Sequence, residues 1–243
     1  MIQALIFDYG GTIDTNSTHW SEVLWEGYQA VGIPVSKEEF RNSYVYAERA
    51  LAKHPYIQPS HNFHDLLSIK CDLETGDLAG RGVWQVDEPE RKTKSNQVAD
   101  YCYDYVLRVL TVSRPVLASL AERYPLVLVS NFYGNIETIL DDFHLPYFCH
   151  IVESAVVGVR KPDPRIFQLG VDALRKATGK TAEKLPAEDI IVVGDSFSKD
   201  IVPATKIGCQ TVWIKGKGWG DEDVDESVPT HIIYNIAELT SIL

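Results

Sequence analysis

Acidic, hydroxyl and lysine side chains follow the apolar runs of this 243-residue chain, at the points where those runs end. Asp8 comes directly after the run IQALIF, and Ser130 closes the run LVLVS. Further along, Lys161 lies in GVRKPDP, and Asp195 and Asp200 lie in GDSFSKD, after the run IIVVG. A carboxylate can act as a nucleophile or hold a cation, a hydroxyl can donate a hydrogen bond, and a lysine can neutralise charge. Together these residues predict a reaction centre, provided that the fold brings them together.

The apolar runs have the length and composition of buried strands, and segments with helical character lie around them. The predicted strands are residues 2–7, 126–130, 150–153, 190–194 and 211–214, with 231–234 as a further candidate. The helices predicted around the later strands are residues 114–123, 134–143, 164–178 and 199–207. Such alternation predicts an α/β fold, with a Rossmann-like parallel sheet and helices on both faces. Because ligands bind at the carboxyl ends of parallel strands, the acidic and polar residues should converge on that edge.

More than a hundred residues separate the first predicted strand from the second, and helical patterns dominate there. Four helices are predicted in this segment, at residues 20–31, 36–51, 62–73 and 95–110. The second opens with Ser36 and Glu39, which form a capping-box pattern, whereas residues 74–94 are rich in glycine and charge and are predicted to be a loop. We therefore expect an α/β core of residues 1–14 and 111–243, with an all-helical domain of residues 15–110 inserted after the first strand.

The composition is that of a soluble globular protein, with 45% hydrophobic and 23% charged residues. A net charge of −11 argues against nucleic acids and anionic membranes as partners, but a small anionic substrate remains compatible with it. No apolar run reaches the roughly 18 residues of a membrane span, and the N-terminus lacks the features of a signal peptide. Four scattered cysteines indicate reduced thiols, so we expect a cytoplasmic protein, monomeric or weakly dimeric. The segment GKGWGDEDVDESVP is predicted to be a solvated turn.

In motif and order, these residues resemble the haloacid dehalogenase (HAD) superfamily of hydrolases over nearly the whole chain. The first motif of that family, usually DxDGT, reads DYGGT at residues 8–12. The second is represented by Ser130, the third by Lys161, and the fourth by the acidic pair of GDSFSKD. The predicted helical insertion resembles the helical cap, type C1, of the superfamily.

The resemblance implies a role for each residue. Asp8 would be the nucleophile that attacks phosphorus and forms an aspartyl-phosphate, Ser130 would hydrogen-bond a phosphoryl oxygen, and Lys161 would neutralise the charge that gathers there. Mg²⁺ would be held by Asp8, the backbone carbonyl of Gly10 and Asp195.

Four further positions complete the implied site. Asp200 would orient Lys161 or a metal-bound water. Gly11, Thr12 and Asn131 would contact the substrate, although Asn131 fits a helix cap equally well.

Gly10 stands where phosphatases of the family carry the aspartate that protonates the leaving group and then activates water. General acid–base catalysis contributes about 10²–10⁴-fold to a rate, so hydrolysis of ordinary phosphate esters should be slow unless Asp14, His19 or a metal-bound water substitutes.

The preferred interpretation is a phosphatase acting on a small phosphorylated metabolite. C–P or C–halogen hydrolysis is an alternative, since related enzymes with those activities also lack this aspartate; Lys37 and Lys53 would be the cap lysines available to a C–P hydrolase. A weakened scaffold that binds a phosphorylated ligand is the other alternative.

Overall fold

One sheet of six parallel strands forms the centre of the molecule in the computed structural model, which describes residues 1–216 and 224–243. The strands are β1 (Ala4–Phe7), β2 (Leu126–Ser130), β3 (Phe148–Glu153), β4 (Ile190–Gly194), β5 (Gln210–Ile214) and β6 (His231–Ile233). They lie in the order β3-β2-β1-β4-β5-β6. The predicted α/β fold with a Rossmann-like parallel sheet is confirmed, including the sixth strand.

The chain reverses its direction of winding at β1, which pairs with β2 on one side and β4 on the other. All four residues of β1 are buried, and so are all five of β2 and of β4. Strands that are buried along their whole length lie where both faces of the sheet are covered, which is the case at the centre of a parallel sheet. The carboxyl ends of β1, β2 and β4 therefore lie side by side at the reversal, where ligands bind in open α/β sheets.

Four helices lie between β1 and β2. They are α1 (Trp20–Val31), α2 (Lys37–Lys53), α3 (Phe63–Gly80) and α4 (Glu88–Ala121). The capping box predicted at the start of α2 is present, with the Ser36 hydroxyl accepting from the backbone N–H of Glu39 and the Glu39 carboxylate accepting from the backbone N–H of Ser36. The all-helical character predicted for this insertion is therefore confirmed.

The loop predicted at residues 74–94 is wrong over most of its length. Helix α3 continues to Gly80, and α4 begins at Glu88, so that only a short connection separates them. Glycines weaken a helix by about 1 kcal/mol each, but α3 packs along α4, and burial of Cys71, Thr75 and Leu78 outweighs that cost.

Helix α4 is a single helix of 34 residues, whereas two helices were predicted at 95–110 and 114–123. It continues through Pro115, because Leu110, Val116 and Leu117 are buried against the rest of the fold on both sides of that residue. The helix therefore runs from the insertion into the layer that covers the sheet. A division of the chain into residues 15–110 and the remainder stays a proposal.

The remaining helices cover the sheet or connect its strands. They are α5 (Ile136–Asp142), α6 (Ser154–Val157), α7 (Arg165–Thr178), α8 (Val202–Lys206) and α9 (Leu239–Ile242), with a π-helical turn at Phe197–Ile201. The helix predicted at 199–207 is thus a π-helical turn followed by α8. Much of the acidic segment GKGWGDEDVDESVP lies outside the described residues. Within the described part of the chain, no helix is both long and apolar enough to cross a membrane.

Candidate active site

The carboxyl ends of β1, β2 and β4 open into one cavity of about 1740 Å³. Asp8, Ser130 and Asp195 lie at those three strand ends, and Lys161 reaches the same cavity from the loop before α7. The structure therefore brings together the residues that the sequence placed at separate strand ends. Side chains from the helical insertion form the opposite wall.

Lys161 forms two buried ion pairs at the bottom of this cavity. Its Nζ lies 2.6 Å from Oδ1 of Asp8 and 2.7 Å from Oδ1 of Asp200. Burial by itself would lower the pKa of Lys161, but the carboxylates of Asp200 and Asp8 outweigh it and raise that pKa above its ordinary value. The lysine is consequently held as a cation beside Asp8.

The backbone of Lys161 is fixed by Asn131. The Asn131 side-chain amide donates to the Lys161 carbonyl (3.1 Å), and its oxygen accepts from the Lys161 N–H (2.8 Å). Asp200 is fixed in turn, because its Oδ2 accepts from the backbone N–H of Ser196 (3.0 Å). The backbone of Lys161 and the carboxylate of Asp200 are therefore both anchored, which restricts the position of the ammonium group.

Thr12 lies between two of the acids. Its hydroxyl oxygen is 3.3 Å from Oδ2 of Asp8 and 3.3 Å from Oδ1 of Asp195, and the residue is fully buried. We propose that Thr12 positions these two carboxylates, since a side chain so enclosed has little surface to offer a substrate.

Gly11 permits the close approach of Asp195 to the turn after β1. The backbone of Gly11 has a φ of +93°, and a Cβ atom at this position would lie 2.3 Å from Oδ2 of Asp195. Any side chain would both strain the backbone and displace the carboxylate. The second glycine of the first motif is therefore required by the geometry of the acids.

Three carboxylates converge in a form that can hold a cation. Oxygen atoms of Asp8, Asp195 and Asp200 all lie within 4.8 Å of one another. Burial, reinforced by Asp200 and Asp8, raises the pKa of Asp195 well above its ordinary range, while burial, opposed by Lys161, raises that of Asp200 to about 6. One lysine does not balance three acids, so the site is short of positive charge.

Gly10 leaves space in the cavity wall. A Cβ atom built on Gly10 meets no other atom within 4 Å, and the residue lines the cavity. The Cβ atom of a larger residue therefore fits at this position.

Two side chains could replace the acid that is missing at residue 10, Asp14 and His19, and both are constrained by their surroundings. Asp14 is fully buried, with one oxygen accepting from the Gly11 N–H (2.7 Å) and the other from the Trp20 indole (3.0 Å). Burial raises the pKa of Asp14 to about 7. His19 lines the cavity, but burial, assisted by Lys199, lowers its pKa to about 4. His19 is therefore a neutral imidazole at pH 7 and a poor proton donor, while the bonds of Asp14 hold that acid in the turn.

The insertion contributes a polar cluster that the sequence had not indicated. Lys70 on α3 forms an ion pair with Glu48 on α2, and both line the cavity. Tyr133, from the loop after β2, donates to Oε2 of Glu48 (3.3 Å). A signal was present, because Lys70 follows Leu66 and Leu67 at helical spacing and so falls on the buried face of α3. Of the two lysines that would be available to a C–P hydrolase, Lys53 lines the cavity, whereas Lys37 pairs with Glu22.

Comparison with known proteins gives one consistent family. Residues 2–208 match the family model of the haloacid dehalogenase-like hydrolases. The haloacid dehalogenase-like hydrolase domain-containing protein 3 of Homo sapiens is 33% identical over 199 residues, which cover 76% of this chain and 74% of that protein. A glyceraldehyde 3-phosphate phosphatase of Pyrococcus furiosus is 30% identical over 105 residues, 43% of this chain and 38% of that enzyme. The chain spans roughly half of the length of the first curated relatives that it matches.

A solved structure with the same fold is the HAD-hydrolase YfnB from Bacillus subtilis, crystallised with magnesium. It superposes with a TM-score of 0.59 at 17% identity, and the alignment covers 100% of this chain and 98% of that one. At this level of identity the similarity shows the common fold alone.

Proposed function

The chain belongs to the haloacid dehalogenase-like hydrolases, and on that premise we propose that it is a Mg²⁺-dependent phosphatase that acts on a small phosphorylated metabolite. The observation that carries the proposal is the buried contact between Lys161 and Asp8, at the cavity end of β1. A carboxylate held in one orientation beside a cation can attack phosphorus while the lysine neutralises the charge that the phosphoryl group brings.

The proposed reaction has two steps. A carboxylate oxygen of Asp8 forms a bond to phosphorus as the bond to the leaving oxygen breaks, which gives an aspartyl-phosphate and a leaving-group anion that takes a proton from solvent. Water then attacks that phosphorus and gives up a proton to solvent, which releases phosphate and restores Asp8. Ser130, which closes β2 beside β1 and lines the cavity, would donate to a phosphoryl oxygen in both steps.

The residues present suit Mg²⁺. This ion takes oxygen ligands and is usually bound through one or two carboxylates in phosphoryl-transfer sites. Asp8 and Asp195 would hold it together with the backbone carbonyl of Gly10, while Asp200 orients Lys161. When bound, the ion would neutralise the facing carboxylates and the phosphoryl oxygens.

A small substrate is supported by the enclosing wall and by the relatives. Residues of the insertion such as His19, Tyr44 and Leu67 face the catalytic residues across the cavity, so we propose that residues 15–110 act as a cap over the site. Relatives named glyceraldehyde 3-phosphate phosphatase, from Pyrococcus furiosus and Pyrococcus abyssi, favour a phosphorylated metabolite of few carbon atoms as substrate.

The absence of an acid at residue 10 shapes the expected rates. Without a side chain there to protonate the leaving oxygen, departure of an alkoxide is unassisted by Gly10. We therefore expect aryl and acyl phosphates, whose leaving groups need no proton, to react faster than alkyl phosphates.

The test is hydrolysis of p-nitrophenyl phosphate and of a panel of metabolite phosphates, with Mg²⁺ and with EDTA. Turnover that EDTA and Asp8→Asn both abolish supports the proposal. Asp172→Asn, an exposed acid on α7, is the matched control and should retain wild-type turnover. Release of halide from 2-haloacids that persists in EDTA would overturn it in favour of a dehalogenase, and no turnover of any phosphate would overturn the phosphatase assignment outright.

A further inference from the structure

Glu48 and Lys70 form a charged pair in the wall that the insertion contributes to the cavity, which carries both apolar and charged side chains. The insertion lines the cavity with Leu51, Ile57 and Leu66 among its apolar residues, and the pair lies among them. The Lys70 side chain is only 6% exposed, whereas that of Glu48 is 37% exposed. The glutamate is therefore the more exposed member of the pair, and both side chains line the cavity.

Both members of the pair are held in their charged forms. Burial would lower the pKa of Lys70, but Glu48 outweighs it and raises that pKa well above its ordinary value. Burial would raise the pKa of Glu48, but Lys70 outweighs it, and the pKa falls below its ordinary value. The Lys70 ammonium also lies 4.4 Å from the centre of the Tyr44 ring.

Stability does not explain this arrangement. Removing two charges from water costs more than a buried ion pair usually recovers, and well-packed apolar residues of similar size are commonly as stable or more so. A charged pair in the wall of a catalytic cavity is instead expected where it contacts a ligand.

Tyr133 connects the pair to the catalytic edge. It follows Ser130 by three residues, and its hydroxyl donates to Glu48 at 3.3 Å. On the same side, Lys199 of the π-helical turn next to Asp195 is close enough to influence the pKa values of both Glu48 and His19. A phosphoryl group at the strand ends would direct its leaving group towards the insertion, where Glu48 lines the cavity.

We infer that Glu48 and Lys70 form the recognition site for the leaving group, and that they select an uncharged, hydroxylated leaving group. A hydroxyl group both donates and accepts hydrogen bonds, so it can donate to the carboxylate of Glu48 and accept from the ammonium of Lys70. An alkyl group would displace water from the pair without replacing its hydrogen bonds, and a carboxylate placed against Glu48 would be repelled by it. This inference rests on the proposed phosphatase function, because it names the substrate class of that site.

The first experiment uses the wild-type protein with Mg²⁺ and measures competitive inhibition of p-nitrophenyl phosphate hydrolysis. The inhibitors are glycerol 1-phosphate, propyl phosphate and phosphoglycolate, which share the phosphoryl group and differ in hydroxyl and carboxylate groups. Inhibition constants report binding even if alkyl esters turn over slowly. We expect glycerol 1-phosphate to bind at least about tenfold more tightly than propyl phosphate, as hydrogen bonds to charged groups typically provide, and more tightly than phosphoglycolate.

The second experiment assigns the preference to the pair. Glu48→Gln and Lys70→Met should each reduce the ratio of glycerol 1-phosphate to propyl phosphate affinity by at least about tenfold. Lys92→Met is the matched control, because Lys92 also pairs with an acid of the insertion, Asp72, but does not line the cavity. This control variant should keep the wild-type ratio of glycerol 1-phosphate to propyl phosphate affinity and the wild-type rate of p-nitrophenyl phosphate hydrolysis.

The outcomes separate this inference from the function on which it rests. If p-nitrophenyl phosphate is not hydrolysed at all, the proposed function fails. If it is hydrolysed but the wild-type protein binds glycerol 1-phosphate and propyl phosphate equally, or prefers phosphoglycolate, the inference fails and the phosphatase assignment stands. If both variants retain the wild-type preference for glycerol 1-phosphate over propyl phosphate, the assignment of that preference to Glu48 and Lys70 is overturned. Should either variant fail to fold, the wild-type inhibition constants decide whether an uncharged, hydroxylated leaving group is selected.

Discussion

The Nζ atom of Lys161 lies 2.6 Å from Oδ1 of Asp8, although 153 residues separate the two along the chain. The same ammonium lies 2.7 Å from Oδ1 of Asp200, and all three residues are buried. One cation, the ammonium of Lys161, therefore organises the carboxylates at the proposed catalytic edge, and the effect of replacing it or the groups around it can be measured.

Replacing Lys161 with methionine should reduce kcat for p-nitrophenyl phosphate by about 10²–10³-fold, since loss of one preorganised charge at a reacting group typically has an effect of that size. The variant also leaves Asp8 and Asp200 without their cation, which costs about 3–5 kcal/mol of stability when charges are buried. Rates should be measured on protein that circular dichroism shows to be folded. A folded variant with wild-type kcat would remove Lys161 from the mechanism.

Gly10→Asp should raise the rate for alkyl phosphates more than the rate for p-nitrophenyl phosphate. The added side chain meets nothing within 4 Å of its Cβ, and a general acid assists mainly a leaving group that needs a proton. We expect a gain of about tenfold or more in kcat for glycerol 1-phosphate, measured by phosphate release.

Gly11→Ala is the informative comparison for that variant. It adds only a methyl group, but at a φ of +93° and 2.3 Å from the Asp195 carboxylate, so activity on glycerol 1-phosphate and on p-nitrophenyl phosphate should fall.

Equal rates for Gly10→Asp and the wild-type protein on alkyl phosphates would show that another group already supplies the proton to the leaving oxygen.

Asp195→Asn should weaken Mg²⁺ binding by at least about tenfold, because it removes one of the proposed carboxylate ligands. The rise in melting temperature with added MgCl₂, measured without substrate, reports this directly. Asp172→Asn, on the exposed face of α7, should retain the wild-type response. A variant that binds Mg²⁺ as tightly as the wild-type protein would exclude Asp195 as a ligand.

Glu74→Gln should flatten the dependence of stability on pH. Burial raises the pKa of Glu74 from its ordinary value of about 4.5 to about 7, and Lys70 and the hydroxyl of Tyr28 (3.2 Å) only partly oppose it. The folded protein binds the carboxyl proton of Glu74 more tightly than the unfolded chain does. The contribution of this proton to the free energy of unfolding is therefore complete below about pH 4.5 and is lost as the pH rises towards about 7.

Urea unfolding at pH 5 and pH 8 checks that prediction. The loss of unfolding free energy between these pH values should be about 2 kcal/mol smaller in Glu74→Gln than in the wild-type protein. Glu183→Gln, at an exposed position, should retain the wild-type difference. The same pH dependence in wild type and Glu74→Gln would mean that Glu74 does not titrate in this range.

The sequence determined the fold class and the edge on which the polar residues meet. Apolar runs that end in Asp8, Ser130 and Gly194 are local patterns, and parallel strands necessarily place their carboxyl ends together. The capping box at Ser36 could be predicted for the same reason, because its partners are three residues apart.

The tertiary structure decided everything that depends on partners far apart in the chain. It made α4 continuous through Pro115, because burial on both sides of the proline outweighs its local cost. It paired Lys161 with Asp8, and it placed Lys70 against Glu48 and Tyr133. A lysine or an aspartate has the same local pattern whether it faces solvent or a cavity, and only the packing of distant segments determines its burial, its charge and therefore its chemistry.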